Sequence, residues 1–441
     1  MFLVYNLEYI SHSNKNIQIL LRKCLDLYPQ DIDLSLDRIK KLLKKLDNPH
    51  LKLSNVVHIA GTNGKGSTAT IISQLQAKAG RIVNAYRSPH LLSFNERIYI
   101  NNKKISDDYF LEILDFVYEK NEKNPITFFE VLTAVAFLAF SENTSDLCVI
   151  EVGLGGTFDA TNIINKKEIA IITPIGLDHK SFLGNSLKSI AREKAGIIKN
   201  SSLIICSKQV KSVYKIIEKK INKEKCKSFI YGNDWRIKNK KLYYEDKSIN
   251  LDNLSLNGEH QYLNAACAVL ACKKIDKLFL KNNIITSGLG EIEWLGRLQK
   301  IEGKLKKKYK HINIWIDVAH NQLGFKVLKD WILKEKILNK FVIILGVGRN
   351  KDINEILIEI KKMQPALLCL VEELNIDGHH PDTVKSLAKK LGINTVISKN
   401  LTNSLVLCSA YLKEKNSKEL IITGSFGIIS AILSLNQDTY L

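Results

Sequence analysis

The stretch His58-Ile-Ala-Gly-Thr-Asn-Gly-Lys-Gly-Ser-Thr68 joins an apolar run to a glycine-rich turn that carries one lysine. Residues 55–60 are typical of a short buried strand, and residues 67–76 of a helix. Glycines let the backbone aim N–H groups at phosphate oxygens, and the helix N-terminus and Lys65 add positive charge. A glycine-rich turn with a solvated lysine is the alternative interpretation. The order strand, glycines, lysine and helix favours a phosphate-binding loop, with six predicted nucleotide contacts: Thr62, Asn63, Gly64, Lys65, Gly66 and Ser67.

Length and composition indicate a globular protein of more than one lobe. The chain has 441 residues, of which 45% are hydrophobic and 25% charged, and this length exceeds one ordinary core. No basic segment followed by an apolar stretch opens the sequence, and the apolar run at 131–140 is shorter than the roughly 20 residues that span a bilayer. We expect a cytoplasmic protein that neither crosses nor binds a membrane. Eight scattered cysteines without C-x-x-C spacing predict buried free thiols.

The formal charge of +20 raises the possibility of a nucleic-acid partner. The excess is diffuse, however, because the lysine-rich segments at 40–45, 219–227 and 304–310 are mixed with apolar residues and Glu or Asn. No helix-turn-helix, RNP or zinc pattern accompanies the charge. We expect no specific nucleic-acid binding, and small anionic substrates would benefit from the same positive field.

Apolar runs alternate with helical stretches along most of the chain, which is the signature of α/β domains with mostly parallel sheets. Predicted strands of the first sheet lie at 55–60, 81–86, 147–152, 169–173 and 201–205, and a small antiparallel piece at 231–256. Predicted strands of a second sheet lie at 312–318, 341–345, 367–371 and 420–423. Predicted helices include 34–46, 129–140, 259–274, 322–338 and 381–391. We place the domain boundary near residue 298, which gives domains of 1–298 and 299–441.

Three polar residues follow successive strands of the first sheet. Ser88 comes after the second strand, Glu151 ends the third, and His179 comes shortly after the fourth. Ligands of open α/β sheets bind beyond the carboxyl ends of the strands, where a carboxylate opposite a phosphate loop can hold Mg²⁺. A solvent-facing Glu151 and a structural His179 are the alternatives, but together the three residues favour a magnesium site.

Lys194 lies inside an apolar helical stripe formed by positions 187, 190, 191, 195 and 198. An unpaired ammonium in that place is costly. The side chain is therefore expected to reach solvent along its stem, to pair, to lose its proton or to be modified.

The loop Gly61-Thr-Asn-Gly-Lys-Gly-Ser67, with Gly66 inserted, resembles that of the folylpolyglutamate synthase and dihydrofolate synthase branch of the Mur ligase superfamily. Further motifs of the family match segments spread over nearly the whole chain. These are Leu36-Asp-Arg38, Phe129-Glu130, Phe158-Asp-Ala-Thr-Asn162, Ala191-Arg-Glu-Lys-Ala-Gly196, Asn257 to Ala266, Gly296-Arg297, Asp317-Val-Ala-His-Asn321 and Thr423-Gly-Ser425.

The resemblance implies a P-loop, Mur-ligase-like ATPase domain with a mostly parallel sheet, followed by a smaller Rossmann-like α/β domain. It also implies a monomeric enzyme that uses ATP and Mg²⁺ to ligate L-glutamate to dihydropteroate or a reduced folate through an acyl phosphate. Lys65, Glu151, His179 and a carbamylated Lys194 would be catalytic, and Ser88, Glu151 and His179 would hold the metal. Asn264, Arg297, Asp317 and His320 would bind the nucleotide. The implied substrate contacts are Leu34, Ser35, Leu36, Asp37, Thr127, Phe128, Phe129, Glu130, Phe158, Asp159, Ala160 and Ser425.

Two other functions fit part of the same pattern. A Mur-type ligase would add an amino acid to a cell-wall precursor, although Gly66 and Phe158-Asp-Ala160 argue against it. A P-loop NTPase acting on nucleic acid would use the basic surface. The chain also departs from the family at Leu295 and Gln322, where proline is usual, and at 348–352, where a more acidic element is usual.

Overall fold

The computed structural model describes residues 12–28, 35–200, 202–275, 280–373 and 378–437, so that Leu34 and Ser201, which the sequence predictions include, lie outside the described residues. The chain divides into two compact units. The first contains residues 1–176, 180–255 and 261–293, and the second contains 177–179, 256–260 and 294–441. Residues 177–179 and 256–260, which the predicted boundary places in the first domain, thus group with the second unit.

The first unit is built on an eight-stranded sheet. Its strands are β1 (Val56–Ala60), β2 (Val83–Tyr86), β3 (Ile98–Ile100), β4 (Lys103–Lys104), β5 (Leu147–Glu151), β6 (Ile169–Ile172), β7 (Leu203–Cys206) and β8 (Ser228–Ile230). Their spatial order is β4-β3-β2-β5-β1-β6-β7-β8, and all pairs are parallel except those that β3 makes. The predicted mostly parallel α/β sheet is therefore confirmed.

Helices cover both faces of this sheet. They are α1 (Lys15–Asp26), α2 (Asp37–Lys45), α3 (Lys65–Lys78), α4 (Asp107–Asn121), α5 (Phe128–Glu142), α6 (Lys180–Leu183), α7 (Leu187–Ala195), α8 (Lys211–Glu224), α9 (Glu259–Lys274) and α10 (Asn282–Leu289). The helix α5 is apolar around nearly its whole circumference and lies in the core, as a helix of that composition must. Three short antiparallel strands, β9 (Trp235–Lys238), β10 (Lys241–Tyr244) and β11 (Lys247–Asn250), form a separate small sheet.

The strand order places β1 at the point where the sheet changes direction. Its neighbours are β5 on one side and β6 on the other, both parallel to it. The chain leaves β1 towards β2 on one side and leaves β5 towards β6 on the other, and such a reversal of strand order opens a crevice at the carboxyl edge of a parallel sheet. The glycine-rich loop that follows β1 lies at this point.

The second unit has its own α/β sheet. Its strands are β12 (Gln299–Lys300), β13 (Asn313–Asp317), β14 (Phe341–Leu345), β15 (Leu367–Val371), β16 (Thr395–Ser398) and β17 (Glu419–Thr423), in the order β12-β13-β17-β14-β15-β16. All but β12 are parallel. Its helices are α11 (Lys304–Lys308), α12 (Gln322–Glu335), α13 (Ile353–Met363), α14 (Pro381–Lys390), α15 (Leu401–Glu414) and α16 (Phe426–Asn436).

All eight cysteines are free thiols. Seven are buried as predicted, whereas Cys226 is only half-buried, with its Sγ 3.2 Å from the Lys199 carbonyl. Burial raises the pKa of Cys24, Cys206 and Cys267 to about 12. None of the helices in the described part of the chain is long and apolar enough to cross a bilayer.

Candidate active site

The glycine-rich loop ends in the first turn of α3. Gly64 is the residue before the helix and has φ of 89°, and a Cβ on it would lie 2.3 Å from Asn264 Oδ1. Only glycine fits there. The first intrahelical bond is made by the Thr68 N–H to the Gly64 carbonyl, at 2.9 Å. The preceding N–H groups of the first turn have no intrahelical acceptor, so they are suited to bind a phosphate.

The upstream half of the loop is fixed by the strand next to β1. The N–H groups of Thr62 and Asn63 donate to the Pro174 carbonyl at 3.0 and 3.3 Å. The Thr62 hydroxyl donates to the Gly176 carbonyl at 3.0 Å. These bonds use the N–H groups of Thr62 and Asn63, so the N–H groups of Lys65, Gly66 and Ser67, in the first turn of α3, are better suited to bind a phosphate.

A lysine and a carboxylate face each other beside the loop. Lys65 Nζ lies 3.9 Å from Glu151 Oε1, and the Glu151 side chain is 4% exposed. Because β2 and β5 are parallel neighbours, their carboxyl ends meet, and the Ser88 N–H donates to Glu151 Oε2 at 3.3 Å. Ser88 and Glu151 therefore lie next to each other at the edge where the phosphate loop lies, and a hydroxyl and a carboxylate are both oxygen ligands for a metal ion.

These donors fit the coordination chemistry of Mg²⁺. That ion keeps several waters and takes only one or two protein carboxylates together with substrate phosphates. Within the described ranges, no group of three or more His, Cys, Asp and Glu side chains is arranged to hold a metal. The arrangement therefore suits a cation that is bound largely through phosphate, rather than a structural metal centre.

Arg87 is a buried cation that the sequence interpretation missed. It directly precedes Ser88, its guanidinium lies 4.4 Å from the centre of the Tyr99 ring, and Nη1 donates to Thr70 Oγ1 at 2.9 Å. Burial lowers the pKa of Arg87, and the charge of Glu151 opposes that effect. Arg87 thus joins the Ser88 segment to α3. The sequence feature that could have identified Arg87 is its position at the end of an apolar strand.

Lys194 does not extend to solvent, so that alternative is wrong. Its side chain is 5% exposed, and Nζ donates to the Gly61 carbonyl at 2.8 Å. The apolar stripe of α7 is buried around it, including Ile190, Ala191 and Ala195. Lys194 therefore contacts the first residue of the phosphate loop.

His179 belongs to the second unit, next to a buried carboxylate. Asp178 accepts from Lys351 Nζ at 2.6 Å and from Asn321 Nδ2 at 2.9 Å, and its Oδ2 lies 3.5 Å from His320 Nε2. Burial opposes ionisation of Asp178, but the His320 contact and the charge of Lys351 outweigh it and hold the pKa well below its usual value. His179 itself has φ of 49°, a left-handed conformation that is uncommon for histidine. Asp178 and Lys351 were not predicted as site residues, although the sequence analysis noted 348–352.

The predicted nucleotide contacts fall in both units. In the first unit, buried Asn264 lies against Gly64 and donates to Gln261 Oε1 at 2.9 Å. In the second unit, Arg297 lies between the rings of Trp294 and Phe426, at 5.2 and 5.4 Å.

Asp317 is largely occupied by backbone donors. Its carboxylate accepts from the N–H groups of Leu298 and Ala319, both at 2.8 Å. Desolvation raises the pKa of Asp317, and Arg297 acts in the opposite direction. The nearby His320 contacts the Val318 carbonyl through Nδ1 at 2.8 Å.

The predicted substrate residues of α2 and α5 lie at the helix beginnings. Thr127 caps α5 through the Glu130 N–H, and Glu130 pairs with Arg38 Nε at 3.0 Å. The Phe129 ring lies over Gly153, where a Cβ would be 2.3 Å from the ring. The remaining members differ in exposure: Phe128 is buried, Ser35 and Leu36 are half-buried, and Asp37 is exposed.

The segment 153–167 contains one exposed aromatic ring on a tightly bonded backbone. Phe158 is 46% exposed, whereas Asp159 and Ala160 are buried. The Asp159 carboxylate accepts from the N–H groups of Leu154 and Thr161, at 2.8 and 3.0 Å, and from the Thr161 hydroxyl. Asp159 therefore shapes the segment, and Phe158 is the predicted substrate residue that it presents to solvent. Ser425, in the second unit, caps α16 through the Ile428 N–H.

The phosphate loop, the strand-end carboxylate and the order of the parallel sheet define a Mur-ligase type of ATPase domain. A family model described as the Mur ligase middle domain matches residues 59–272.

Comparison with whole proteins identifies the branch. The chain is 30% identical over 434 residues to the dihydrofolate synthetase of Saccharomyces cerevisiae, covering 92% of this chain and 98% of that protein. It is 32% identical over 334 residues to the dihydrofolate synthase/folylpolyglutamate synthase of Bacillus subtilis, covering 70% and 74%. A structure of Mycobacterium tuberculosis folylpolyglutamate synthase complexed with ADP and AMPPCP superposes with a TM-score of 0.85 at 26% identity, covering 96% and 100%. The chain belongs to the dihydrofolate synthase/folylpolyglutamate synthase family.

Proposed function

We propose that this protein is an ATP-dependent ligase that joins L-glutamate to dihydropteroate or to a reduced folate through an acyl phosphate. The observation that carries the proposal is the pairing of Lys65 with Glu151 at the end of a loop whose sequence and backbone suit phosphate. Similarity to relatives of that activity along nearly the whole chain supports it.

The first step transfers the γ-phosphoryl group of ATP to a carboxylate oxygen of the folate precursor, releasing ADP. Lys65 and the N–H groups of α3 hold the phosphates and neutralise charge that develops in the transition state. Ser88 and Glu151 supply ligands for Mg²⁺, and the family resemblance adds His179. When bound, this ion stabilises phosphate charge.

In the second step, the amine of glutamate attacks the acyl carbon, an amide bond forms and phosphate leaves. Phe158 and Phe129 provide aromatic surface for the pteridine-bearing substrate. Asn264, Arg297, Asp317 and His320 are proposed to bind the nucleotide, and Ser425 to contact the glutamate substrate.

Lys194 is proposed to act as a carbamate. The neutral amine adds CO₂ and loses one proton, which gives an anion whose remaining N–H can still donate to the Gly61 carbonyl, now 2.8 Å from Nζ. A ¹³C carbamate signal from protein incubated with labelled bicarbonate tests this, with Lys194→Ala as the control. Absence of a Lys194-dependent signal would contradict carbamylation. We expect Lys194→Ala to lose activity that bicarbonate does not restore and that a short carboxylic acid restores in part.

The function is tested with ATP, Mg²⁺ and labelled glutamate, offered dihydropteroate or tetrahydrofolate in turn. We expect a labelled amide product and ADP release that requires both other substrates. ATP hydrolysis that requires DNA or RNA, or transfer to a cell-wall precursor instead, would refute the proposal. We further propose a cytoplasmic monomer, which sedimentation and cell fractionation would test.

A further inference from the structure

Lys167 is a buried lysine that the proposed mechanism does not use. Its side chain is 1% exposed, and Nζ donates to Asn162 Oδ1 at 2.8 Å and to the Ile197 carbonyl at 3.0 Å. Burial, and then the charge of Lys199, lower its pKa well below the usual value. An amine donates hydrogen bonds whether or not it is protonated, so these contacts do not depend on the charge.

Lys167 is one of three residues that bond the carbonyls at the end of α7. The last carbonyls of a helix have no intrahelical donor. Here the Thr157 N–H donates to the Glu193 carbonyl at 2.9 Å, and Asn162 Nδ2 to the Gly196 carbonyl at 3.2 Å. Lys167 adds the bond to the Ile197 carbonyl, just beyond the helix, so that all three of these contacts come from the segment 153–167 and supplement the Gly196 N–H, which donates to the Glu193 carbonyl at 3.1 Å. We name these three contacts the α7 clamp.

Backbone contacts show how closely the two segments fit. A Cβ on Gly156 would lie 2.5 Å from the Glu193 carbonyl oxygen, and a Cβ on Gly196 would lie 2.6 Å from Thr157 Cα. Since backbone atoms cannot move aside cheaply, the segment and the helix end are packed as one body.

The two sides of the α7 clamp carry different parts of the proposed site. α7 places Lys194 Nζ against the phosphate loop. The segment 153–167 presents Phe158, which is 46% exposed. Lys167 is linked to both sides through Asn162. Lys167 Nζ donates to Asn162 Oδ1, and Asn162 Nδ2 donates to the Gly196 carbonyl on the helix side and to the Thr157 carbonyl, at 3.1 Å, next to Phe158.

We propose that Lys167 is a positioning residue that fixes Phe158 and Lys194 relative to each other by completing the α7 clamp. The inference rests on the proposed function, since it assigns Phe158 to the pteridine side and Lys194 to the phosphate side. Lys167 touches neither substrate.

The test variant is Lys167→Met, which keeps the volume and leaves Asn162 Oδ1 and the Ile197 carbonyl without this donor. Because an unsatisfied buried acceptor costs stability, the Tm of this variant is measured beside its activity. Lys167→Gln, which retains a donor, is the second variant. Lys166→Met is the matched control, because Lys166 is the adjacent lysine and is exposed.

Hydrogen exchange supplies a readout that needs no substrate. We expect Lys167→Met to raise exchange about tenfold or more in both 157–164 and 193–198, because both lose a shared contact. Lys167→Gln should give a smaller increase and Lys166→Met none. Unchanged exchange in either segment of Lys167→Met overturns the proposal.

Kinetics separate positioning from a merely structural role. We expect Lys167→Met to lower kcat about tenfold and to raise the KM for the pteroate substrate, since small misplacements at a reacting centre are costly. ADP affinity should change less and stay within about twofold, because α3, whose N–H groups are proposed to hold the phosphates, contributes no residue to the α7 clamp. In a double-mutant cycle of Lys167→Met with Phe158→Ala, the double variant should raise the KM by less than the combined effects of the two single variants. Additive effects, or a lowered Tm with unchanged kcat and KM, overturn the positioning role. If the wild-type protein forms no amide product, the proposed function fails. The hydrogen-exchange comparison then still tests whether Lys167 holds the α7 clamp together.

Discussion

The phosphate loop and the segment 153–167 lie in the same unit and are held in different ways. Backbone geometry defines the phosphate loop: Gly64 has φ of 89°, and the proposed phosphate donors are N–H groups of α3. Buried side chains define the segment 153–167, where Asp159, Asn162 and Lys167 bond backbone and side-chain groups that water does not reach. A substitution in the first should therefore change ligand binding with little effect on folding. A substitution among the buried groups of the second should change folding and activity together.

The largest effect is expected for Lys65→Ala. Ligation should fall about 10³-fold, because the ammonium acts on charge that develops at the phosphate. The Tm should change less, since Lys65 contributes a bond to the Thr62 carbonyl at 3.3 Å and a longer ion pair of 3.9 Å with Glu151. Steady-state kinetics and calorimetry measure the two effects.

Lys78→Ala, at the other end of α3, is the control for Lys65→Ala. Its surface ion pair with Glu291 is worth at most about 1 kcal/mol, and it should leave turnover unchanged. Near-normal turnover in Lys65→Ala would remove the phosphate loop from the mechanism.

Gly156→Ala, in the segment 153–167, should lower the stability of the fold, in contrast to Lys65→Ala. The added Cβ would meet the Glu193 carbonyl oxygen at 2.5 Å, so we expect the free energy of unfolding to fall by about 1–3 kcal/mol. Urea unfolding measures it. Gly427→Ala is the control, because its Cβ would have only an ordinary contact of 3.8 Å. Equal stability of Gly156→Ala and the wild-type protein would show that the segment is looser than its contacts indicate.

Phe158→Ala tests the exposed part of the segment. The KM for the pteroate substrate should rise about tenfold, through lost aromatic contact, with Tm unchanged. Phe116→Ala is the matched control, since Phe116 is 48% exposed and Phe158 is 46% exposed. Equal KM values for the two variants would place the substrate elsewhere.

The smallest effect is expected for His58, which links the strand before the phosphate loop to the segment 153–167. It lies in β1, is fully buried, and contacts Thr161 Oγ1 at 2.8 Å. Burial lowers its pKa well below the usual value, and Lys167 and Lys199 add to this. The unfolded chain therefore binds a proton at a higher pH than the folded chain. Stability due to His58 is present above about pH 6.5 and is lost as the pH falls below it.

The free energy of unfolding of His58→Gln should consequently fall less steeply between pH 7 and 5.5 than that of the wild-type protein, by about 1 kcal/mol. Urea unfolding across this pH range measures the difference. Parallel slopes for His58→Gln and the wild-type protein would show that His58 carries no such linkage.

Sequence reasoning predicted the features that periodicity and turn residues encode. The strands predicted at 55–60 and 147–152 appear as Val56–Ala60 and Leu147–Glu151, and the phosphate loop follows the first. It missed Ile98–Ile100 and Thr395–Ser398, in which the apolar run is only two or three residues long.

The buried polar contacts could not be predicted because their partners are distant in sequence. Lys167 and Ile197 are 30 residues apart, and Lys351 and Asp178 are 173 residues apart. Lys167 lies in a polar stretch that reads as a solvated loop, and nothing local distinguishes it from Lys166. Lys194 was noticed for the opposite reason: a lysine within an apolar helical stripe conflicts with its surroundings.

The burial of seven of the eight thiols gives the native protein a single convenient attachment point. Cys226 is the half-buried thiol, and its Sγ lies 3.2 Å from the Lys199 carbonyl. Lys199 Nζ in turn donates to the Asn162 carbonyl at 2.7 Å. Since burial also raises the pKa of Cys226, coupling of a maleimide dye should be slow at neutral pH and faster in mild alkali. A fluorophore placed there without mutagenesis would report on the surroundings of Asn162 while substrates bind.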